Sequence, residues 1–148
     1  MIIRPYQKSE DYSYYLFAEQ ASFVATYPEI KISSQHESHF EATLNAKFEM
    51  AETRGFTSLS GSNHAGMILT YITDFGTGPS CSIDNVYVSE QFRGKRVVDE
   101  LFIHAEKDAI SRGVNTMRLG VSVANEVALR TYERLGYTIK SHAMEKQL

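Results

Sequence analysis

The stretch Ile83–Val123 constrains the fold of this chain more than any other. It reads as a strand, a polar turn, an amphipathic helix and a second strand. Ile83–Val88, I-D-N-V-Y-V, alternates and is rich in β-branched and aromatic residues, the pattern of a strand. Ser89-Glu90-Gln91-Phe92 is a polar turn. Beyond Arg93, the residues Val97, Val98, Leu101, Phe102, Ala105, Ala109 and Ile110 recur at helical spacing. Asp99, Glu100, Glu106, Lys107 and Asp108 cover much of the remaining surface, and Arg112-Gly113 closes the helix. In Thr116–Val123 the residues Met117, Leu119, Val121 and Val123 alternate, as in a strand buried within a sheet. A helical crossover between two such strands makes them parallel and the connection right-handed. The expected fold class is therefore α/β.

The turn inside this unit has chemistry of its own. Arg93-Gly94-Lys95-Arg96 stands where the helix begins. The first N–H groups of a helix have no intrahelical partner, and they point outward where the helix dipole is positive. Gly94 lets a ligand approach the backbone closely. Arg93, Lys95 and Arg96 add charge suited to phosphates. The function expected of this corner is a grip on the pyrophosphate of a nucleotide-like cofactor. Taken alone, the same turn reads equally well as a solvated, charged helix start. Neither G-x-x-x-x-G-K-[ST] nor G-x-G-x-x-G occurs, which excludes a P-loop and the dinucleotide fingerprint.

The rest of the chain supplies a sheet and helices around this unit. Met1–Tyr6 is a short apolar start closed by Pro5, an edge-type first strand. Tyr12, Tyr15, Leu16, Ala18 and Phe23 predict a first helix that breaks at Tyr27-Pro28. Ser34 and Glu37 are spaced as a capping box for a second helix, which Arg54-Gly55 ends. Phe56–Ser60 and Ala65–Ile72 read as strands about the hairpin turn Gly61-Ser62-Asn63-His64. Gly76–Pro79 is a loop leading into Cys81–Val88. Asn125 begins a last helix through Leu135, with Gly136 at its end. Tyr137–Gln147 reads as a final, antiparallel strand. The sheet is thus expected to be mixed, α+β in character, with about four helices.

A length of 148 residues suits one domain over 1–148 with a real core. With 43% hydrophobic and 22% charged residues the composition is that of a soluble globular protein. A net charge of −3 argues against bulk attraction to nucleic acid or anionic membrane. Cys81 is the one cysteine, which excludes an internal disulfide and fits a reducing cytoplasm. It reads as a buried, inert strand residue. No signal-peptide core and no run of ~20 apolar residues is present. Five histidines are scattered without ligand spacing, so no metal is expected.

Three segments carry a family resemblance. I-D-N-V-Y-V followed by Q-F-R-G-K-R is similar to the acyl-CoA pattern Q/R-x-x-G-x-G/A of the GNAT superfamily of N-acetyltransferases. N-E-V-A-L-R-T-Y-E-R-L-G-Y matches that superfamily's N-x-x-A-x-x-x-Y-x-x-x-G-[FY], and M-E-K-Q-L ends the chain on the family's closing strand. The order of elements agrees over nearly the whole chain, and the likeness is specific from Ile83 onward. Arg96 departs from the pattern where a last Gly or Ala is usual, and Val98 where a second Gly is common. The C-terminal strand region is also short for the family.

The resemblance implies acetyl-CoA as co-substrate and an amine as acceptor, joined by direct attack in a ternary complex. It implies a cleft where Asn85–Val88 and Leu119–Val123 splay apart, with a bulge near Val86-Tyr87. Val86, Tyr87 and Val88 would pair with the pantetheine arm, and an N–H of Val86 or Val88 would steady the oxyanion. Gln91, Arg93, Gly94, Lys95, Arg96, Val97 and Val98 would hold the pyrophosphate. Asn125 either touches the cofactor or only caps its helix. Tyr132 would be catalytic, donating to the departing sulfur; the alternative is a core tyrosine. Asp84 would act as base through water, or else make a structural hydrogen bond. Tyr87 and Glu29 are more remote candidates for that base. The acceptor pocket is expected at the first two helices and the Gly76–Pro79 loop, among Tyr12, Tyr15, Tyr27, Glu29 and His36. A small primary amine is the acceptor favoured over a protein N-terminus or lysine. A non-catalytic acyl-CoA-binding module is the competing class. A homodimer is a frequent habit of the family.

Overall fold

Alternation along the chain divides the core between two faces of one sheet. The computed structural model describes residues 1–148. Its strands are β1 (Ile2–Pro5), β2 (Thr53–Ser60), β3 (Asn63–Asp74), β4 (Pro79–Val88) and β5 (Met117–Leu119). Its helices are α1 (Lys8–Thr26), α2 (Ser34–Glu49), α3 (Val97–Ser111) and α4 (Glu126–Arg134). The strands lie in sequence order, β1-β2-β3-β4-β5. The first four pair antiparallel, and β4 pairs with β5 in parallel. The mixed sheet expected from the βαβ unit is the one observed.

On one face, Met67 and Leu69 of β3 pack with Tyr15 and Ala18 of α1 and Leu44 of α2. On the other, Ile68 and Ile83 pack with Val97, Leu101, Phe102 and Ala105 of α3. Each fully buried large side chain contributes roughly 1.5–3 kcal/mol of transfer free energy. Gly66 marks a close approach of α3 to the sheet. A Cβ there would lie 2.9 Å from Val97 Cγ1 and 3.0 Å from Leu101 Cδ1. No helix is long and apolar enough to cross a membrane. Cys81 is fully buried in β4, where burial pushes its thiol pKa up.

Several boundaries differ from the sequence reading. The capping box of α2 sits one residue earlier: Ser33 accepts from His36 N, and the His36 ring answers Ser33 N at 3.0 Å. Arg54-Gly55 does not end α2; both lie in β2, and Gly55 admits the Tyr15 ring, which a Cβ would meet at 3.0 Å. β5 stops at Leu119 because β4 diverges there and leaves Gly120–Val123 without a ladder. Thr138–Leu148 forms no strand. Its large apolar residues Ile139 and Met144 are exposed, so no buried face rewards an extended pairing.

Candidate active site

The strand β4 changes phase at its middle. Cys81 donates its N–H to Thr116 O at 2.9 Å, toward β5, whereas Ser89 donates its N–H to Ala65 O at 2.9 Å, toward β3. Backbone groups of a regular strand alternate sides with period two, so these two residues should point alike. They do not, because one residue is extra. Leu69 pairs with Asn85 and Thr70 with Ile83, which leaves Asp84 as the bulge. The ladder to β5 ends beside it, at Ile83 and Leu119. Beyond the bulge, the backbone groups of Asn85 and Tyr87 face β3. Those of Val86 and Val88 face the side that β5 has left. The bulge expected near Val86-Tyr87 therefore falls at Asp84, where the second neighbour departs and the phase must shift.

Side chains sort to the two faces accordingly. Val86 and Val88 join the core under α3. Asn85 turns to α1, where its Oδ1 accepts from Ser22 Oγ at 2.8 Å. Tyr87 packs edge-on against Phe17, with centroids 5.6 Å apart. On the α3 face of the sheet, Tyr132 of α4 packs with Phe102 at 5.7 Å and Tyr137 at 6.4 Å between centroids. Burial alone raises the Tyr132 pKa above its ordinary value, and no hydrogen bond in the chain offsets it. Asn125 caps α4 by accepting from Ala128 N at 3.2 Å. Asp99 and Arg134 pair across α3 and α4, which fixes the helix carrying Tyr132 to the helix that follows the corner.

The corner itself is built on Phe92, whose ring is buried at the end of a 3-10 turn, Glu90–Phe92. Lys95 Nζ lies 5.4 Å from the centroid of that ring. Gly94 and Arg96 both take left-handed backbone, with φ of 76° and 61°. These two residues swing the chain into α3, which begins at Val97. Arg93 Nε donates to Val88 O at 3.3 Å, tying the corner to the free strand edge. Gln91, Arg93, Lys95 and Arg96 are exposed around it, and Val97 is buried beneath. Ser89, at the entrance, accepts from Tyr14 Oη at 2.6 Å and donates to His64 O at 2.9 Å.

Asp84 lies on the opposite face from Tyr132. Its Oδ2 accepts from Lys47 Nζ at 2.7 Å. The same ammonium donates to both oxygens of Glu19, at 2.9 and 3.0 Å. Burial lowers the Lys47 pKa, but Asp84 and Glu19 outweigh it and raise it overall. Lys47, Met50, Thr53, Leu69, Tyr71 and Asp84 line a hollow of about 140 Å³. Of these, only Asp84 was singled out in the sequence. Lys47 and Glu19 are separated from it in the chain and give no motif. Their one signal is position: Lys47 stands next to Phe48, at the end of the apolar stripe of α2.

The expected pocket residues fare differently. Tyr15 is fully buried and its hydroxyl bonds Thr57 Oγ1 at 3.1 Å, so it belongs to the core. His36 serves the α2 cap. Tyr27 and Glu29 are exposed beyond the end of α1. These residues do not converge on Asp84.

Comparison with known proteins agrees with this fold. The Acetyltransferase (GNAT) family model matches residues 11–137. A 75-residue stretch is 28% identical to the spore coat polysaccharide biosynthesis protein SpsD of Bacillus subtilis (strain 168). It spans 51% of this chain but only 26% of that protein. Among solved structures, a putative acetyl transferase from Pyrococcus furiosus superposes with a TM-score of 0.80 at 22% identity, covering 99% of both chains. An aminoglycoside N-acetyltransferase solved in complex with CoA superposes with a TM-score of 0.74 at 14% identity, covering 99% of this chain and 98% of that one. At such identities the structures speak for the fold, and the family model speaks for membership. This chain belongs to the acetyltransferase (GNAT) family.

Proposed function

We propose that this chain is an acetyl-CoA-dependent N-acetyltransferase acting on a small primary amine. The observation that carries the reading is the phase change at Asp84. It turns the Val86 and Val88 backbone groups toward a gap that β5 has left. Amides of a pantetheine arm fit such an edge, as an added strand would. At one end of that edge stands a corner with three cationic side chains and the start of a helix, suited to a pyrophosphate. Gln91, Arg93, Gly94, Lys95, Arg96, Val97 and Val98 would hold that group. Asn125, already committed to its cap, would at most border the site.

Acetyl-CoA supplies an acetyl group activated on sulfur; the chain supplies position and proton control. An amine of pKa ~10.4 costs roughly 4.6 kcal/mol to deprotonate at pH 7. Asp84 is the carboxylate nearest the parting of the strands, and it accepts that proton through water. A freed N–H of Val86 or Val88 steadies the developing oxyanion. Tyr132 donates a hydrogen bond to the departing sulfur. A thiol ionises near ~8.5, and the buried phenol lies above ~10, so complete transfer from an isolated Tyr132 is uphill by at least roughly 2 kcal/mol. Holding amine and thioester in line does the rest. The two faces divide the work, with amine and Asp84 on one and Tyr132 on the other. The hollow of about 140 Å³ favours a small acceptor.

The decisive experiment is an acceptor screen that follows thiol release, with mass spectrometry of the products. Acetylated amine is the expected product, and Tyr132→Phe should lower turnover by ~10²-fold while acetyl-CoA affinity holds. Acetyl-CoA binding with no product across amines and peptides would reduce the chain to an acyl-CoA-binding module.

A further inference from the structure

Lys47 is the one cation set between Glu19 and Asp84, and its position resembles that of a substrate. Its Nζ donates to Glu19 at 2.9 and 3.0 Å and to Asp84 at 2.7 Å. The side chains are 23%, 12% and 22% exposed, so water screens this trio only in part. Two carboxylates against one ammonium leave a net charge of −1. Withdrawing Lys47 would leave two like charges facing each other in a half-buried site, at a steep desolvation cost. The seat therefore demands a cation at all times.

What the seat accepts is a primary alkylammonium. A lysine head is such a group, with three N–H donors on a compact charge and a flexible stem. An amine acceptor presents the same head. Beside the seat, Met50, Leu69 and Tyr71 offer apolar wall. Thr53, also in that wall, has a buried hydroxyl with no partner. The hollow is thus fitted for a short chain that follows an ammonium group, with one polar atom to greet it.

We propose that Glu19 and Asp84 form the seat of the acceptor's ammonium, and that Lys47 occupies it at rest and is displaced by the acceptor. Lys47 is then a built-in competitor that sets acceptor affinity. It also selects for chemistry: a primary ammonium on a short apolar stem, without an anionic group nearby, because the seat keeps its net negative charge. Displacement releases Asp84 from Lys47 and hands it to the amine it must serve. This inference rests on the acetyltransferase reading for the word acceptor, but its test does not need acetyl transfer.

The test is amine rescue, with n-butylammonium as the probe and N,N,N-trimethylbutylammonium, which has no N–H donor, as control. Lys47→Ala should lower the melting temperature, and n-butylammonium should restore it saturably. Its affinity for the variant should exceed that for wild type at least ~10-fold, the factor expected when a resident competitor is removed. The trimethylated control should restore nothing. In wild type, the same titration should shift the ammonium resonance of Lys47 in a spectrum of lysine side-chain nitrogens. If Lys47→Ala fails to fold, Glu19→Gln with Lys47→Met removes one charge of each sign, and the wild-type titration stands beside it. Equal rescue by the trimethylated ion, or a Lys47 resonance unmoved at saturating amine, would overturn the proposal. Binding without any acetylated product would instead overturn the transferase reading and leave the seat intact. Acetylation with an acceptor KM indifferent to Lys47→Met would do the reverse.

Discussion

Arg96 holds a left-handed backbone, φ 61° and ψ 18°, that suits glycine and strains every residue with a Cβ. The family pattern places a small residue there, and the reason is now visible: the chain must turn sharply to bring α3 up behind Gly94. Arginine at this position costs about 1 kcal/mol of backbone strain. Arg96→Gly should stabilise the fold by about 0.5 kcal/mol, the strain relieved less the entropy that glycine gains when unfolded. Calorimetry would read this as a melting temperature higher by roughly 1–2 °C. A clear fall would mean that the guanidinium, which lies near Asp99, supports the corner more than its backbone burdens it.

Asp11 gives a second residue-scale prediction. It is fully buried and accepts from Arg4 at 2.7 and 3.0 Å, Gln7 N at 2.8 Å, His64 Nε2 at 2.9 Å and Thr57 Oγ1 at 3.0 Å. Burial raises its pKa, but these donors outweigh burial and hold it below the ordinary value. A depressed folded pKa contributes stability above the unfolded pKa of ~3.9, and that stability is lost as pH falls through the folded value. Asp11→Asn should cost about 3 kcal/mol at pH 7 because Arg4 loses its buried partner. The gap between variant and wild type should narrow in denaturant titrations below pH ~4. None of these five donors is adjacent to Asp11 in sequence, and the same is true of Lys47 and Asp84. Periodicity marks which side of an element is covered; it does not say which charges meet across elements.

At the scale of elements, the βαβ unit was the most legible part of the chain. Its stripe from Val97 to Ala109 has a strong helical period, and its strands have a strong alternation. The bulge was less so, because I-D-N-V-Y-V alternates acceptably whichever residue is taken as extra. Its position follows from tertiary circumstance, namely where β5 turns away. The last strand was misread for a related reason: Tyr137–Gln147 alternates weakly, and no partner edge continues past Leu119 to receive it. The contact of α3 with β3 makes a prediction of its own. Gly66→Ala would place a methyl group 2.9 Å from Val97 and 3.0 Å from Leu101. The first turn of α3 must retreat, at a cost of roughly 1–3 kcal/mol. If the corner holds the cofactor as proposed, acetyl-CoA affinity should fall along with the melting temperature, since the corner is continuous with that turn. A Gly66→Ala protein that melts lower but binds the cofactor unchanged would separate the helix from the site.

Across the whole molecule, charge is distributed against the average. The chain carries −3, yet Arg93, Lys95 and Arg96 stand together and exposed at the corner. Attraction of a polyanionic cofactor is then local, and exposed charges are screened over a Debye length of ~10 Å at 0.1 M salt. On the proposed function, acetyl-CoA should raise the melting temperature, and that rise should shrink between low salt and ~0.5 M salt. An unchanged rise would shift the weight of binding to backbone contacts.

The single unpaired residue in β4 decides how the sheet can be used. Pair Asp84 with Leu69 like any other rung, and the odd-even count becomes regular from Pro79 to Val88. Val86 and Val88 would then turn their amides inward and their isopropyl groups out of the core, while Asn85 would be pressed toward it. What is now a slot between two strands would close into ordinary fabric. A doorway through this molecule is thus a matter of arithmetic: one amino acid makes the difference between a wall and a passage.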